Sequence, residues 1–485
     1  MLQECSITLF TGCALAFLAH WLFGEEFATR QQARVYAPIA GENYGAGKRD
    51  DIRVLLIDDA ALAAAGQVWP AQYSYSARLL NAVAQYKPKA IFVDVYYGAR
   101  RDDPTLPALT RSVCALKQQG IALFMATARD GAGNYKLRPE LDALAGKCFD
   151  KVAIQYTPDD IDRIAWNYPL EAHRAGPGEA SLKSAALALY ESSGGHLKVE
   201  EHPLAVTWGS KSAEHGIGWV RDMHGGETYC RPSHGLWELI PPRLLDYLYH
   251  DADKPMCVFH ETVRAGELAE TTPESDARLR REIEGKVVLI GVAHTDSNDL
   301  LLSPLHGRIP GIYLHAMALD NLMVYGDSYA RNMHLGFGRE QVNIMLFLVL
   351  SMLLVTLVPK VLSTYLVNNL HCKALEHPVE YLTHRLNLHR RQGWQWGALA
   401  VFLLLCVLRL FVTAIVGCAM VWIGQRVFGL GFLSVIGVIF LTMIAEWFDI
   451  NEKLIHHLLP KLELSSSTIH TKTKESANVV PTKTV

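Results

Sequence analysis

Residues 53–97 read RVLLIDDAALAAAGQVWPAQYSYSARLLNAVAQYKPKAIFVDVYY. Arg53-Val54-Leu55-Leu56-Ile57 is a short apolar run with β-branched residues, stopped by Asp58-Asp59, and reads as a buried strand. The following DAALAAAG is alanine-rich and closes on Gly66, which predicts a turn or two of helix with a glycine stop. From Tyr73 to Tyr86 apolar positions recur at helical spacing, Lys87-Pro88-Lys89 breaks the pattern, and Ala90 to Val95 is the next strand. Thr105 to Gly120 and Ile121 to Ala126 repeat the alternation of helix and strand. Buried strands separated by helices predict βαβ units and a mainly parallel α/β sheet with helices on both faces.

Moving outward, the pattern lapses between about Gly131 and Pro255. Ser181 to Tyr190 reads as helix there, while Gly209 to Glu227 is polar and without a period. It returns at Gly285-Lys286-Val287-Val288-Leu289-Ile290-Gly291, a strand, followed by a polar loop and a helix from Gly311 to Leu322. The first and last strands are expected to lie near each other, which brings both ends of the domain back to one place.

The remaining chain is of a different kind. Half of the 485 residues are hydrophobic and a fifth are charged, with 46 Lys plus Arg against 49 Asp plus Glu. The net charge of −3 argues against nucleic acid as a partner, and the apolar content argues against extended disorder. The apolar excess sits in four blocks, 7–23, 342–358, 396–423 and 427–445, of which only the third holds a charged residue, Arg409. Each is long enough to cross ~30 Å of hydrocarbon, so four spans of an all-α membrane region are expected, with the lipid bilayer as partner. The first block has no basic flank and no clean A-x-A cleavage site, so it is expected to remain as an anchor.

Orientation follows from the basic residues of short loops. Lys360, Lys373, Arg385, Arg390 and Arg391 lie between the second and third blocks, and Lys453, Lys461, Lys472, Lys474 and Lys483 follow the fourth. Both regions, and hence both termini, are expected in the cytoplasm. The resulting division is an anchor at 1–24, an extracytoplasmic domain at 25–341, a span at 342–359, a cytosolic loop at 360–395, a membrane hairpin at 396–448 and a cytosolic tail at 449–485. In that arrangement Cys114, Cys148, Cys230 and Cys257 face an oxidising compartment and can form two disulfides in any of three connectivities. Sequence order makes Cys114–Cys148 and Cys230–Cys257 the simplest choice, and four reduced thiols are the alternative. A charge as deep as Arg409 normally faces a partner or a water-filled cavity.

Two stretches carry a resemblance. Val54 to Tyr97 has a strand ending in acid, a Trp-Pro segment, a helix, and a second strand ending in Asp. Gly285 to Met323, GKVVLIGVAHTDSNDLLLSPLHGRIPGIYLHAMALDNLM, has strand-Gly, then Asp, then Ser-Pro, then Pro-Gly-x-x-x-His-Ala. Together they resemble the extracellular sensory domain associated with cyclases and histidine kinases, type two, the CHASE2 class. The resemblance implies a sensory domain followed by three spans in a bacterial inner membrane, and ordinarily a cytoplasmic cyclase or kinase. Only 37 residues follow Phe448, too few for such a module, so a sensor without its own enzyme is expected.

Ligands gather at the carboxyl edge of open α/β sheets. Asp58, Asp59 and Asp94 at predicted strand ends, Asp296 and Asp299 in the loop after another, and Trp69, Tyr73 and His315 are therefore candidates for a pocket rim that recognises a solute or cation. Each Asp could equally cap a helix or satisfy loop amides, and His315 could be a hydrogen-bonded core residue. No catalytic motif is present: Gly41 to Arg49 lacks the spacing and the Ser/Thr of a phosphate loop, and G-x-S-x-G, H-E-x-x-H and C-x-x-C are missing. The expectation is a non-enzymatic signal-input protein without cofactor or metal, acting on a separate cytoplasmic effector in response to an unknown small ligand, with a homodimer expected from receptors of this kind. The alternatives are a membrane scaffold that recruits a partner, and a periplasmic α/β enzyme using the strand-end acids.

Overall fold

The computed structural model describes residues 25–331, apart from 131–132, 173–180, 200–201, 222–226, 240–246, 270–271 and 295–298, together with 419, 422 and 423. The expected first, second and fourth spans lie outside the described residues, as do nearly all of the third, the cytosolic loop and the tail. Asp296 and Arg409 also lie outside them. Among the described residues no helix is long and apolar enough to cross a membrane. The residues described belong almost entirely to one unit, Ala33–His334.

The helices are α1 (Glu25–Glu42), α2 (Asp59–Ala64), α3 (Tyr73–Gln85), α4 (Leu106–Gln118), α5 (Pro139–Asp142), α6 (Ala185–Ser192), α7 (Pro273–Ile283) and α8 (Ile312–Tyr325). The first strands in chain order are β1 (Ile52–Asp58), β2 (Ala90–Val93), β3 (Ala122–Arg129), β4 (Tyr135–Lys136) and β5 (Asp150–Ala153). Six shorter ones follow: β6 (Asn167–Tyr168), β7 (Glu171–Ala172), β8 (Leu182–Lys183), β9 (Leu204–Ala205), β10 (Trp219–Arg221) and β11 (Glu227–Tyr229). The last are β12 (Thr262–Arg264), β13 (Val287–Ala293), β14 (Leu300–Ser303) and β15 (Gly307–Pro310).

The main sheet runs β12-β1-β13-β2-β3-β5, parallel throughout, with β4 added antiparallel at the end of β3. Strand alternation divides the core into two layers, because successive side chains leave opposite faces. Val54 and Leu56 of β1, Phe92 of β2 and Leu289 of β13 pack on the side of α8 and α6. Leu55, Ile57, Ile91, Val93, Val288 and Ile290 pack on the other side with α3, α4 and α7. A parallel sheet covered on both faces is what the uninterrupted apolar strands imply. The first and last long strands pair from Ile52↔Val287 to Asp58↔Ala293, so β13 fills the place between β1 and β2.

Local chemistry explains the βα joint that the opening stretch encodes. The Asp58 carboxylate accepts the Ala61 N–H at 2.8 Å and starts α2. The helix ends as Gly66 (φ 61°) donates to the Ala63 carbonyl and Gln67 donates to the Leu62 carbonyl, the paired closure that needs a left-handed residue.

The middle region supplies β10 and β11 of a second, antiparallel sheet in the order β11-β10-β15-β14, completed by β14 and β15 from the stretch before α8 expected to be a polar loop, and it forms the two-stranded pairs β6-β9 and β7-β8. Its strands are two to four residues long, too short to impose a period on the sequence. Cys114 is joined to Cys148 and Cys230 to Cys257, closing loops with separations of 34 and 27 residues. Cross-links over such spans restrict the unfolded chain by roughly 3–4 kcal/mol each in the chain-entropy account.

Candidate functional site

Three of the residues nominated from sequence come together at the N-terminal end of α8. Asp94 follows β2 directly and its N–H donates to the Ile290 carbonyl of β13 at 2.8 Å, which fixes it at the carboxyl edge of the sheet. Its carboxyl is only 5% exposed, and Oδ2 lies 3.7 Å from His315 Nε2. Asp299 accepts the Gly311 N–H on its carbonyl at 3.0 Å, and its carboxyl lies over the Gly311 Cα. A Cβ at Gly311 would stand 2.5 Å from Asp299 Oδ1, so no other residue type fits there without displacing the acid.

The Tyr168 hydroxyl accepts the Ala186 N–H at 3.2 Å and is hydrogen-bonded to His315 Nδ1 at 2.7 Å, with the donor set by the tautomer of the ring. Burial lowers the His315 pKa to about 3, so the ring is neutral at ordinary pH. Burial, and Asp299 nearby, raise the Asp94 pKa well above the usual carboxylate range. Asp299 keeps surface open to solvent, yet the protein crowding its carboxyl raises its pKa as well. Both acids ionise less readily than a free carboxyl, and Asp94 does so beside a neutral imidazole. Among the described residues no group of three or more His, Cys, Asp or Glu side chains is placed to hold a metal ion.

The other nominated residues have different surroundings. Asp58 caps α2 and lies 3.9 Å from the Arg264 guanidinium at the end of β12. Asp59 is exposed in the first turn of α2, where a carboxylate suits the helix dipole. Tyr73 is buried; its hydroxyl accepts from Arg138 at 2.7 Å, and the Arg101 guanidinium lies 4.0 Å from its ring centroid. Trp69 is half-buried, with its ring 5.1 Å from that of His294 at the end of β13. Beside His294 a cleft of about 20 Å³ is lined, among the described residues, by Ala293, Arg221, Arg308 and apolar side chains, and by none of Asp58, Asp59, Asp94 and Asp299.

A second polar cluster, at the other end of α8, was missed. Asp320 is fully buried; it accepts from the Tyr44 hydroxyl at 2.5 Å and lies 3.2 Å from His260 Nε2. Asn321 accepts the Thr207 N–H at 2.8 Å and donates to the Tyr44 hydroxyl and the Thr207 carbonyl. This network ties α8 to the segment that leaves α1 and to the loops before β10 and β12. Its signal was available: an Asp-Asn pair inside an otherwise apolar helix must be paired if buried. Tyr168 had no signal, because it lies in the aperiodic region far from His315 in sequence.

A family model described as the CHASE2 domain matches residues 7–357, well over half of the chain. No curated protein and no solved structure matches it.

Proposed function

The chain belongs to the CHASE2 domain family, a family of sensory domains, and from that premise we propose that it is the input component of a membrane signalling system. Its α/β domain stands outside the cytoplasm, responds to a ligand or an envelope condition, and passes the response through membrane helices to a separate cytoplasmic effector. Catalysis then belongs to the effector.

The observation that carries this reading is the course of α8. The helix starts at the Asp94–Asp299–His315 cluster, packs on β1 and β13, carries the Asp320–Asn321 network, and is the last described helix before the apolar block at 342–358. A ligand that favours one arrangement of the cluster shifts the population of α8 positions by its differential affinity. The two disulfides support an oxidising location for this domain.

The test is topological. Lys117 is exposed on α4. In intact cells Lys117→Cys should react with a membrane-impermeant maleimide, while Arg390→Cys should react only after lysis. Protection of Lys117→Cys until lysis would overturn the reading. A scaffold that recruits a partner is the second reading, favoured by exposed Tyr229 (77%), Trp237 (53%) and Tyr247 (83%). A stable co-purifying protein lost on changing these aromatics, with no dependence on any solute, would favour it.

A further inference from the structure

We propose that the Cys230–Cys257 disulfide is a redox site, reduced by a dithiol of the envelope and reoxidised there, and that its state is an input the domain reports. This deepens the sensor reading by naming the envelope condition, and it rests on that reading for its purpose.

The two disulfides stand in unlike surroundings. Cys148 is buried, and with Cys114 it packs in the apolar layer that holds α4. A thiolate that attacked Cys114 would expel the Cys148 sulfur as a thiolate into that layer, where desolvation makes it a poor leaving group. Cys230 and Cys257 are both half-buried and lie at the neck of a loop whose ends they join over a separation of 27 residues. Pairs that water and a thiol can reach are the labile ones.

A further contact favours the reduced form. Cys230 Sγ lies 3.3 Å from the carbonyl oxygen of buried Ile217, and among the described residues no N–H or O–H donates to that oxygen. A disulfide sulfur has no hydrogen to give, whereas a Cys230 thiol donates to this carbonyl, weakly but where nothing else does. The neck also keeps its shape without the S–S bond. The Arg231 N–H donates to the Pro255 carbonyl at 2.9 Å and the Cys257 N–H to the Arg231 carbonyl at 2.7 Å, so the two sulfurs stay adjacent and can rejoin.

In the exchange, one thiolate of the dithiol bonds to Cys230 Sγ and the S–S bond breaks, expelling Cys257, which takes up a proton. The second thiolate then attacks the first sulfur of the dithiol, closing the dithiol's own disulfide and releasing Cys230, which takes up another. The dithiol loses two electrons and two protons, and the protein pair gains both. The path from there to α8 is short. Between Cys257 and Thr262 the chain sets the Phe259 ring 5.6 Å from that of Tyr44, His260 Nε2 3.2 Å from Asp320, and the Thr262 hydroxyl 2.8 Å from that of Tyr313. Reduction removes the covalent anchor at the head of this segment, and α8 loses the restraint that it transmits.

The test uses the full chain in nanodiscs, with free thiols first blocked by N-ethylmaleimide. Graded dithiothreitol, then iodoacetamide and peptide mass spectrometry, should show Cys230 and Cys257 alkylated at least about tenfold faster than Cys114 and Cys148. Oxidised glutathione added before the iodoacetamide should restore the pair. Amide exchange in Ile312–Tyr325 should speed up at least about threefold on reduction and return on reoxidation. The double variant Cys230→Ser, Cys257→Ser should exchange at the fast rate with or without reductant. Reduction of Cys114–Cys148 first or at the same rate would overturn the inference. So would reduction of Cys230–Cys257 only on unfolding, or α8 exchange unchanged by its clean reduction. If the double variant fails to fold, reduction and reoxidation of the unaltered chain still decide. Unselective reduction or unchanged exchange, with maleimide labelling as expected above, defeats this inference alone. Inverted labelling with selective reduction defeats the sensor reading alone.

Discussion

Asp94 is the residue whose environment departs furthest from water among the nominated acids, and its thermodynamics follow from that. Its folded pKa lies above its unfolded one, so the contribution it makes to stability is complete below about pH 3.9 and is lost as the pH rises through the folded value. Asp94→Asn removes the ionisation and keeps the shape. The Tm advantage of the variant over the unaltered chain should be near zero in acid, grow as the pH rises, and then level off. A constant offset across the range would show that Asp94 is not held neutral. His315 works in the other direction: its pKa is depressed to about 3, so the stability it lends is present above about pH 6.5 and fades as the pH falls toward 3. Asp94 could be nominated from sequence because a strand end is visible there. What the sequence could not show is whether a given Asp becomes a cap, as Asp58 did, or a buried acid, because that depends on which loop closes over it.

At the scale of elements, β13 and α8 approach each other closely at a glycine. Gly291 lies in the middle of β13, and a Cβ there would stand 2.5 Å from the Ile312 Cβ. Gly291→Ala should therefore force α8 away from the sheet and cost about 1–3 kcal/mol, read as a Tm lowered by several degrees. An unchanged Tm would mean that the helix shifts freely. The βα units of the first hundred residues were legible because their strands are continuous apolar runs, and their glycine and lysine-proline breaks are punctuation of known meaning. Helix α1 was not seen, although Ala33, Tyr36 and Ala37 share a buried face, because Pro38 within it reads as a breaker. The small antiparallel sheet was illegible for a different reason. Its pairing is set by register with distant partners, as in Arg221↔Arg308, and not by any local period.

For the whole molecule, the important tie is the one between its two ends. Tyr44, two residues after α1, donates to Asp320 and accepts from Asn321 on α8, so the helices that begin and end the domain share one buried network. Tyr44→Phe leaves a carboxylate oxygen and an amide hydrogen short of a partner, at a cost of about 1–3 kcal/mol. Amide exchange should speed up together in α8 and in the turn after α1. Faster exchange in one of them alone would show that the network does not couple them.

The interleaved order of the central sheet has a consequence for biogenesis. β1, β2 and β3 all precede residue 130, but the strand that belongs between β1 and β2 ends only at Ala293. A polypeptide synthesised from its amino end thus carries an open slot, edged by unpaired backbone, until nearly the entire globule has been made. Its maturation is timed by the arrival of that late segment, and any escort that shields nascent chains would have this exposed seam as its natural target.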